Sequence, residues 1–160
     1  MKKVLILLFL VGFKTISVGG DIITSEDHIS NYYTLIYNSE RDKEIKRRIS
    51  IIKAIEWVES RHNQFAHNFT EDARGVFQIR KVMIDEINGL GYSYTHDDAW
   101  DYDKSVSMFV KYQNRFNPDW DPELAARKWN GGREGEKKPS TEQYWRRVEQ
   151  RIDELMCCVD

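Results

Sequence analysis

The chain has only two cysteines in 160 residues, the neighbours Cys157 and Cys158 near its C-terminus. Adjacent cysteines bridged to each other make a strained ring, so a disulfide framework is excluded as the support of the fold. No alternating apolar and polar run is long enough for a strand, and no repeat or low-complexity tract interrupts the chain. That leaves one compact all-α domain. A serine or cysteine nucleophile motif is missing, as is a glycine-rich phosphate cradle, and Gly131-Gly132 reads as a helix stop. The histidines, His28, His62, His67 and His96, form no His-Glu-x-x-His pattern. His62 and His67 with Glu71 nearby fall short of metal-site spacing. Asp97, Asp98, Asp101 and Asp103 lack the glycine and terminal glutamate of a calcium loop, and read as helix caps and solvated charges. No cofactor and no metal are expected.

Excess basic charge is also absent. Lys and Arg number 24 against 26 Asp and Glu, a formal charge of −2, which argues against nucleic acid as the main partner. The long apolar run sits at the N-terminus: Met1-Lys2-Lys3, an apolar stretch over residues 4–13 broken only by Gly12, then the small residues Ser17-Val18-Gly19-Gly20. This is the pattern of a secretory signal peptide over residues 1–20. Lys14 ends the run well short of the ~20 residues that a membrane span needs, so no stable membrane insertion is expected once the segment is removed. The mature chain then begins near Asp21 and carries 21 basic against 26 acidic residues, a formal charge of −5. An exported, periplasmic or extracellular protein with one well-buried core is expected.

Residues 21–40 read as a polar lead-in with an aromatic and aliphatic cluster, and residues 41–160 as the main domain. Ile45, Ile49, Ile52 and Ile55 repeat at three- and four-residue steps and predict a helix over residues 41–60. A surface loop follows over 62–74, then a helix over 76–88 with Val76, Ile79, Met83 and Ile87 on one side. Asp101 or Asp103 caps a helix ending near Phe116, with Val106, Phe109, Val110 and Phe116 apolar. Asp121-Pro122 opens a fourth helix that Asn130-Gly131-Gly132 ends. Ser140 with Gln143 forms a capping-box pattern before Tyr144, Val148, Ile152 and Leu155.

Glu59 stands four residues beyond Ile55, at the end of the first helix and on its apolar side. Burial disfavours a charged carboxylate, and the negative end of the helix dipole pushes in the same direction. A glutamate so placed stays protonated near neutral pH, as a general acid must. The helix pattern alone also fits an ordinary last-turn residue paired with Arg61, and Glu56 projects near the same face as a rival.

The runs that follow bear on that choice. Glu59-Ser60-x-x-Asn63, Ala66, Ala73-Arg74-Gly75-Val76-Phe77-Gln78-Ile79 and Trp129-Asn130-Gly131-Gly132 occur in this order. Together they resemble the soluble lytic transglycosylase (SLT) domain of the goose-type lysozyme-like superfamily. That family's pattern is Glu-Ser, then Gly-Leu-Met-Gln-Ile, then Tyr-Asn-Ala-Gly. The resemblance covers roughly residues 45–152 and rests on three ordered motifs. It implies a lysozyme-like domain that cleaves peptidoglycan glycan strands at the β-1,4 bond between N-acetylmuramic acid and N-acetylglucosamine. Glu59 would be the general acid and then the base, yielding a 1,6-anhydro-muramyl product. Ser60, Phe77, Gln78, Trp129, Asn130 and Tyr144 would contact substrate or orient the acid.

Two departures stand out. Trp129 replaces the family's Tyr, keeping an aromatic surface without the hydroxyl, and of the tryptophans it is the one expected to be partly exposed to substrate. The loop before Gly75 is one residue longer than usual, with Glu71-Asp72 where a small glycine commonly precedes the alanine. Glu71, Asp72 and Asp85 are the acids near the motifs that would supply a second carboxylate for hydrolysis by water, as most glycosidases have; solvated surface charges are the simpler expectation for all three. The alternatives to a transglycosylase are a lysozyme using the same acid, or a silent lysozyme-like domain that binds glycan or a protein partner.

Overall fold

A computed structural model describes the backbone of residues 25–157 and the side chains of residues 39–157. The signal-peptide pattern of residues 1–20, and Cys158, lie outside the described residues. Among those residues the architecture is all-α, with helices α1 (Ser25–Ser60), α2 (Lys81–Asn88), α3 (Tyr102–Phe116), α4 (Pro122–Gly131) and α5 (Glu142–Cys157). No described helix is long and apolar enough to cross a membrane. The chain divides into two units, residues 1–44 and 45–160. The described part of the first is the beginning of α1, where Lys43 pairs with Glu40 at 2.9 Å.

Helix α1 starts at Ser25, well before the expected residue 41. Residues 25–40 contain neither glycine nor proline, so nothing in them breaks a helix once it has formed. Its buried face also differs from the expected one. Ile45 and Ile49 are 45% and 51% exposed, whereas Ile51, Ala54 and Ile55 are fully buried. Two adjoining apolar stripes run along this helix, and the one carrying the small Ala54 is the one the core covers. Ile55 belongs to both, so Glu59 remains on the packed side.

The segment expected to be a plain loop contains a minimal antiparallel ribbon, β1 (His67–Asn68) paired with β2 (Ala73–Arg74). The next helix begins at Lys81, later than the expected residue 76, because residues 75–79 form a tight turn. That turn is closed by Arg74 and Ile79, whose amides and carbonyls exchange hydrogen bonds of 3.1 and 2.8 Å. Helix α3 begins where expected, with the Asp101 carboxylate accepting from the Lys104 amide at 2.9 Å. Its most buried stripe is Ser105, Met108, Phe109, Tyr112 and Gln113, with Val106, Val110 and Phe116 packed at its margin. The Asp121 cap, Pro122 start and Gly132 stop of α4 match expectation. Ser140 does not cap α5; it lies inside a 3₁₀ turn, Pro139–Thr141, from which the helix continues.

The core is built on aromatic rings. Phe77 stacks on Phe109 at 4.7 Å and 6°, and Trp129 meets Phe77, Phe109 and Tyr112 edge-on at 5.8, 4.9 and 5.6 Å. These offset and edge-to-face contacts are the favoured geometries of aromatic pairs. Buried polar groups in this region are partnered. Asn117 accepts from the Asp121 amide at 3.0 Å and donates to its carbonyl at 2.8 Å, joining the end of α3 to the start of α4.

Gly75 fixes where the turn sits. Its φ is +74°, and a Cβ there would fall 1.8 Å from the Ala99 carbonyl oxygen. Both the left-handed backbone and the close approach require glycine. Gly75→Ala is expected to destabilise the protein by at least about 2 kcal/mol through strain and overpacking, read as a lower urea midpoint at unchanged slope.

Candidate functional site

The last turn of α1, the ribbon, the residue 75–80 turn, α2 and the end of α4 enclose a cleft of about 390 Å³. Glu59 enters it from α1; Asn68, Glu71 and Ala73 from the ribbon; Gln78, Ile79 and Arg80 from the turn; Met83 from α2; and Trp129 with Asn130 from α4. The Tyr144 hydroxyl, from α5, donates to Glu59 Oε1 at 2.7 Å.

Glu59 keeps some contact with solvent through the cleft, while the protein around its carboxyl removes most of the water. Burial pushes its pKa up from the ordinary 4.5 to about 7. The Tyr144 hydrogen bond and the charges of Arg147 and Arg80 pull the other way, and Glu71 adds an upward push. Burial beside Glu59 in turn drives the Tyr144 hydroxyl pKa upward, so it stays a donor. The result is a carboxyl that exchanges a proton near neutrality, in an open cleft.

Glu56, three residues earlier, has the opposite character. It is fully buried and its oxygens are engaged: Lys53 donates to Oε2 and Tyr102 to Oε1, both at 2.9 Å, and His62 Nδ1 lies 3.1 Å from Oε2. It faces the packed junction of α1 and α3 and does not line the cleft. Glu59, not Glu56, is the carboxyl of this helix that lines the cleft.

The remaining expected site residues divide. Gln78 and Asn130 line the cleft, and Tyr144 reaches Glu59. Gln78 has φ +48°, a strained conformation for a residue with a side chain, held as its amide nitrogen donates to the Ala66 and Gly75 carbonyls at 3.0 and 2.9 Å. Ser60 does not contact the Glu59 carboxyl. Its hydroxyl donates to the Val76 carbonyl at 2.8 Å and so ties the helix end to the turn. Phe77 does not line the cleft either; it is fully buried against Phe109. Trp129 borders the cleft but is only 4% exposed, and its indole N–H donates to the Phe77 carbonyl at 3.2 Å, so the expected partly exposed sugar platform is a core residue.

Of the three other acids, Glu71 alone lines the cleft, 3.8 Å from Arg80. Asp72 turns to Arg74 and His67, whose hydrogen bonds lower its pKa to about 2. Asp85 pairs with Lys81 on the surface. The four clustered aspartates act in part as caps: Asp101 caps α3, and Asp98 accepts from the Thr95 amide at 2.7 Å. Asn68, Arg80 and Met83 were not expected in the cleft. They share the cleft with Glu59 because the ribbon, the turn and α2 come together beside the end of α1, a juxtaposition that no local pattern announces. Among the described residues no His, Cys, Asp and Glu group could hold a metal ion.

Comparisons with protein-family models, curated proteins and solved structures find no match to this chain.

The raised Glu59 pKa has a thermodynamic signature that does not depend on any reaction. The folded state holds this proton more tightly than the unfolded chain, so the associated stability is full below pH 4.5 and is lost as pH rises to about 7. Glu59→Gln, which cannot ionise, is expected to match the parent at pH 4 and exceed it at pH 8 by roughly 3 kcal/mol. Urea denaturation at the two pH values measures this; equal pH dependence in both proteins would remove the assignment.

Proposed function

We propose that this chain is a peptidoglycan-cleaving lytic transglycosylase with a lysozyme-like fold, acting on the β-1,4 bond between N-acetylmuramic acid and N-acetylglucosamine in an exported setting. The observation that carries the reading is Glu59: a carboxyl poised near neutrality at the floor of a polar cleft, with a tyrosine hydroxyl on one oxygen. Its agreement with the motif order supports the same reading.

In this mechanism protonated Glu59 donates to the glycosidic oxygen as the bond to the muramyl C1 breaks. The resulting carboxylate, stabilised by Tyr144, then takes the proton of the muramyl C6 hydroxyl as O6 closes on C1. The products are a 1,6-anhydro-muramyl end and a free hydroxyl on the departing sugar, and Glu59 is again protonated. Gln78, through its amide oxygen, and Asn130, through its amide group, hydrogen-bond the sugar hydroxyls and N-acetyl groups from the cleft lining. No metal or cofactor takes part in these steps.

Glu71 favours a second reading, hydrolysis. It lines the same cleft as Glu59, and a second carboxylate there would activate a water or stabilise the developing positive charge. The two outcomes differ in the product.

Digestion of purified sacculi followed by mass analysis of the muramyl ends is the test. Anhydro ends that disappear in Glu59→Gln are expected. Reducing ends that also depend on Glu71 would replace transglycosylation by hydrolysis, and fragments unaffected by Glu59→Gln would end both readings. The rate is expected to fall as pH rises through about 7, when Glu59 loses its proton. Tyr144→Phe removes a hydrogen bond that favours the carboxylate, so this alkaline limb should move to higher pH. A limb that stays in place or moves down would show that Tyr144 does not tune the acid.

A further inference from the structure

A second concavity, about 210 Å³, lies at the seam of α1 and α5, between Trp57, Val58 and Arg61 on one side and Arg147, Gln150, Arg151 and Glu154 on the other. Its charge is the reverse of the chain's. Three guanidinium groups border it against one carboxylate, in a protein whose formal charge is −2. Glu154 is committed to Arg151, at 2.7 Å. Arg61 and Arg147 have no carboxylate partner within salt-bridge distance among the described residues.

The arginines are held in place by aromatic rings. The Arg61 guanidinium carbon lies 3.3 Å from the centre of the Trp57 ring, and that of Arg151 lies 4.9 Å from the same ring. Arg147 lies 5.5 Å from the ring of buried Tyr144. Arg61 takes this position with φ +57°, in the left-handed region. The C-terminal end of α1 favours one cation there, but its dipole fades within a turn and does not account for two more arginines on α5. Like charges brought this close repel unless an anion lies between them. Stacked guanidiniums keep their N–H edges free for oxyanions, which they bind in a bidentate fashion.

We propose that the α1–α5 groove is a binding site for a small organic anion, a carboxylate or phosphate group whose apolar body rests on Val58 and the Trp57 edge and whose oxygens bridge Arg61 and Arg147, with Arg151 completing the charge. Gln150 offers an amide at the rim. The site lies outside the Glu59 cleft and does not rest on the proposed reaction.

The test uses the whole chain at low ionic strength, titrated with inorganic pyrophosphate and, separately, with tricarballylate, against sodium chloride at matched ionic strength. Arginine Nε–H and tryptophan indole resonances are followed by NMR. Saturable shifts that begin at Arg61, Arg151 and Trp57 are expected with at least one probe, and which probe saturates identifies phosphate or carboxylate as the ligand group. Arg61→Gln and Arg151→Gln should each weaken binding tenfold or more. Shifts that do not saturate, that sodium chloride reproduces, or that map elsewhere would overturn the site. Since the mapping is done on the unaltered chain, the result stands even if a variant fails to fold. Unchanged affinity in a folded variant would overturn it as well.

Discussion

The stacking of Phe77 on Phe109 is the contact on which the cleft depends. Phe77 is in the middle of the tight turn between the ribbon and α2, and with its ring buried between α3 and α4 the turn has one position. Trp129 reinforces this, since its indole donates to the Phe77 carbonyl and its ring packs edge-on against both phenylalanines. The flanking residues Gly75 and Gln78 both take left-handed conformations, which glycine adopts freely but which are strained at Gln78. Burial of one aromatic ring holds that strain, and the neighbouring Gln78 and Arg80 are thereby turned toward Glu59. Ser60 closes the arrangement by anchoring Val76 to the end of α1.

Two glutamates three residues apart on one helix show how little the sequence interval decides. Glu56 is more deeply buried than Glu59, yet it is compensated by a lysine, a tyrosine hydroxyl and a histidine, so its environment is that of a satisfied internal ion pair. Glu59 receives one hydrogen bond, from Tyr144, and only distant positive charge from Arg147 and Arg80. Burial therefore dominates at Glu59 and raises its pKa, as it does for carboxyls with too few donors to replace lost water. A group with this balance is useful for proton exchange because neither form is strongly preferred.

Much of the fold was legible in the sequence where local chemistry acts alone. The Asp101 cap of α3, the Asp121-Pro122 start of α4 and the glycine that ends it are local signals, and each is observed. The buried stripe of α1 was misjudged because two apolar stripes share Ile55, and tertiary packing selects between them. Val76, Ile79 and Met83 fit a helical period although residues 75–79 form a tight turn; Gly75 against Ala99 is a long-range constraint with no periodic trace. Of the expected site residues, Glu59, Gln78 and Asn130 line the cleft and Tyr144 reaches Glu59, whereas Phe77 and Trp129 have their rings buried in the core. An aromatic residue beside a cleft motif carries the same letter whether its ring faces solvent or packing. Asn68 and Arg80 escaped notice because only the folded ribbon and turn bring them near Glu59.

The charges around Glu59 act on it in both directions. Glu71 and Arg80 lie 3.8 Å apart at the cleft wall and act on Glu59 in opposite directions, Arg80 lowering its pKa and Glu71 raising it. What remains is α5: Tyr144 supplies the one direct hydrogen bond and Arg147 the larger of the two positive influences, both favouring the carboxylate. Helix α5 therefore limits how far burial can raise the pKa. Without Tyr144 the carboxyl would be a weaker acid and would keep its proton to higher pH. More donors on its oxygens would lower the pKa further, since each favours the carboxylate. The balance at Glu59 thus depends on a residue 85 positions away in sequence, packed close enough to offer a single hydroxyl.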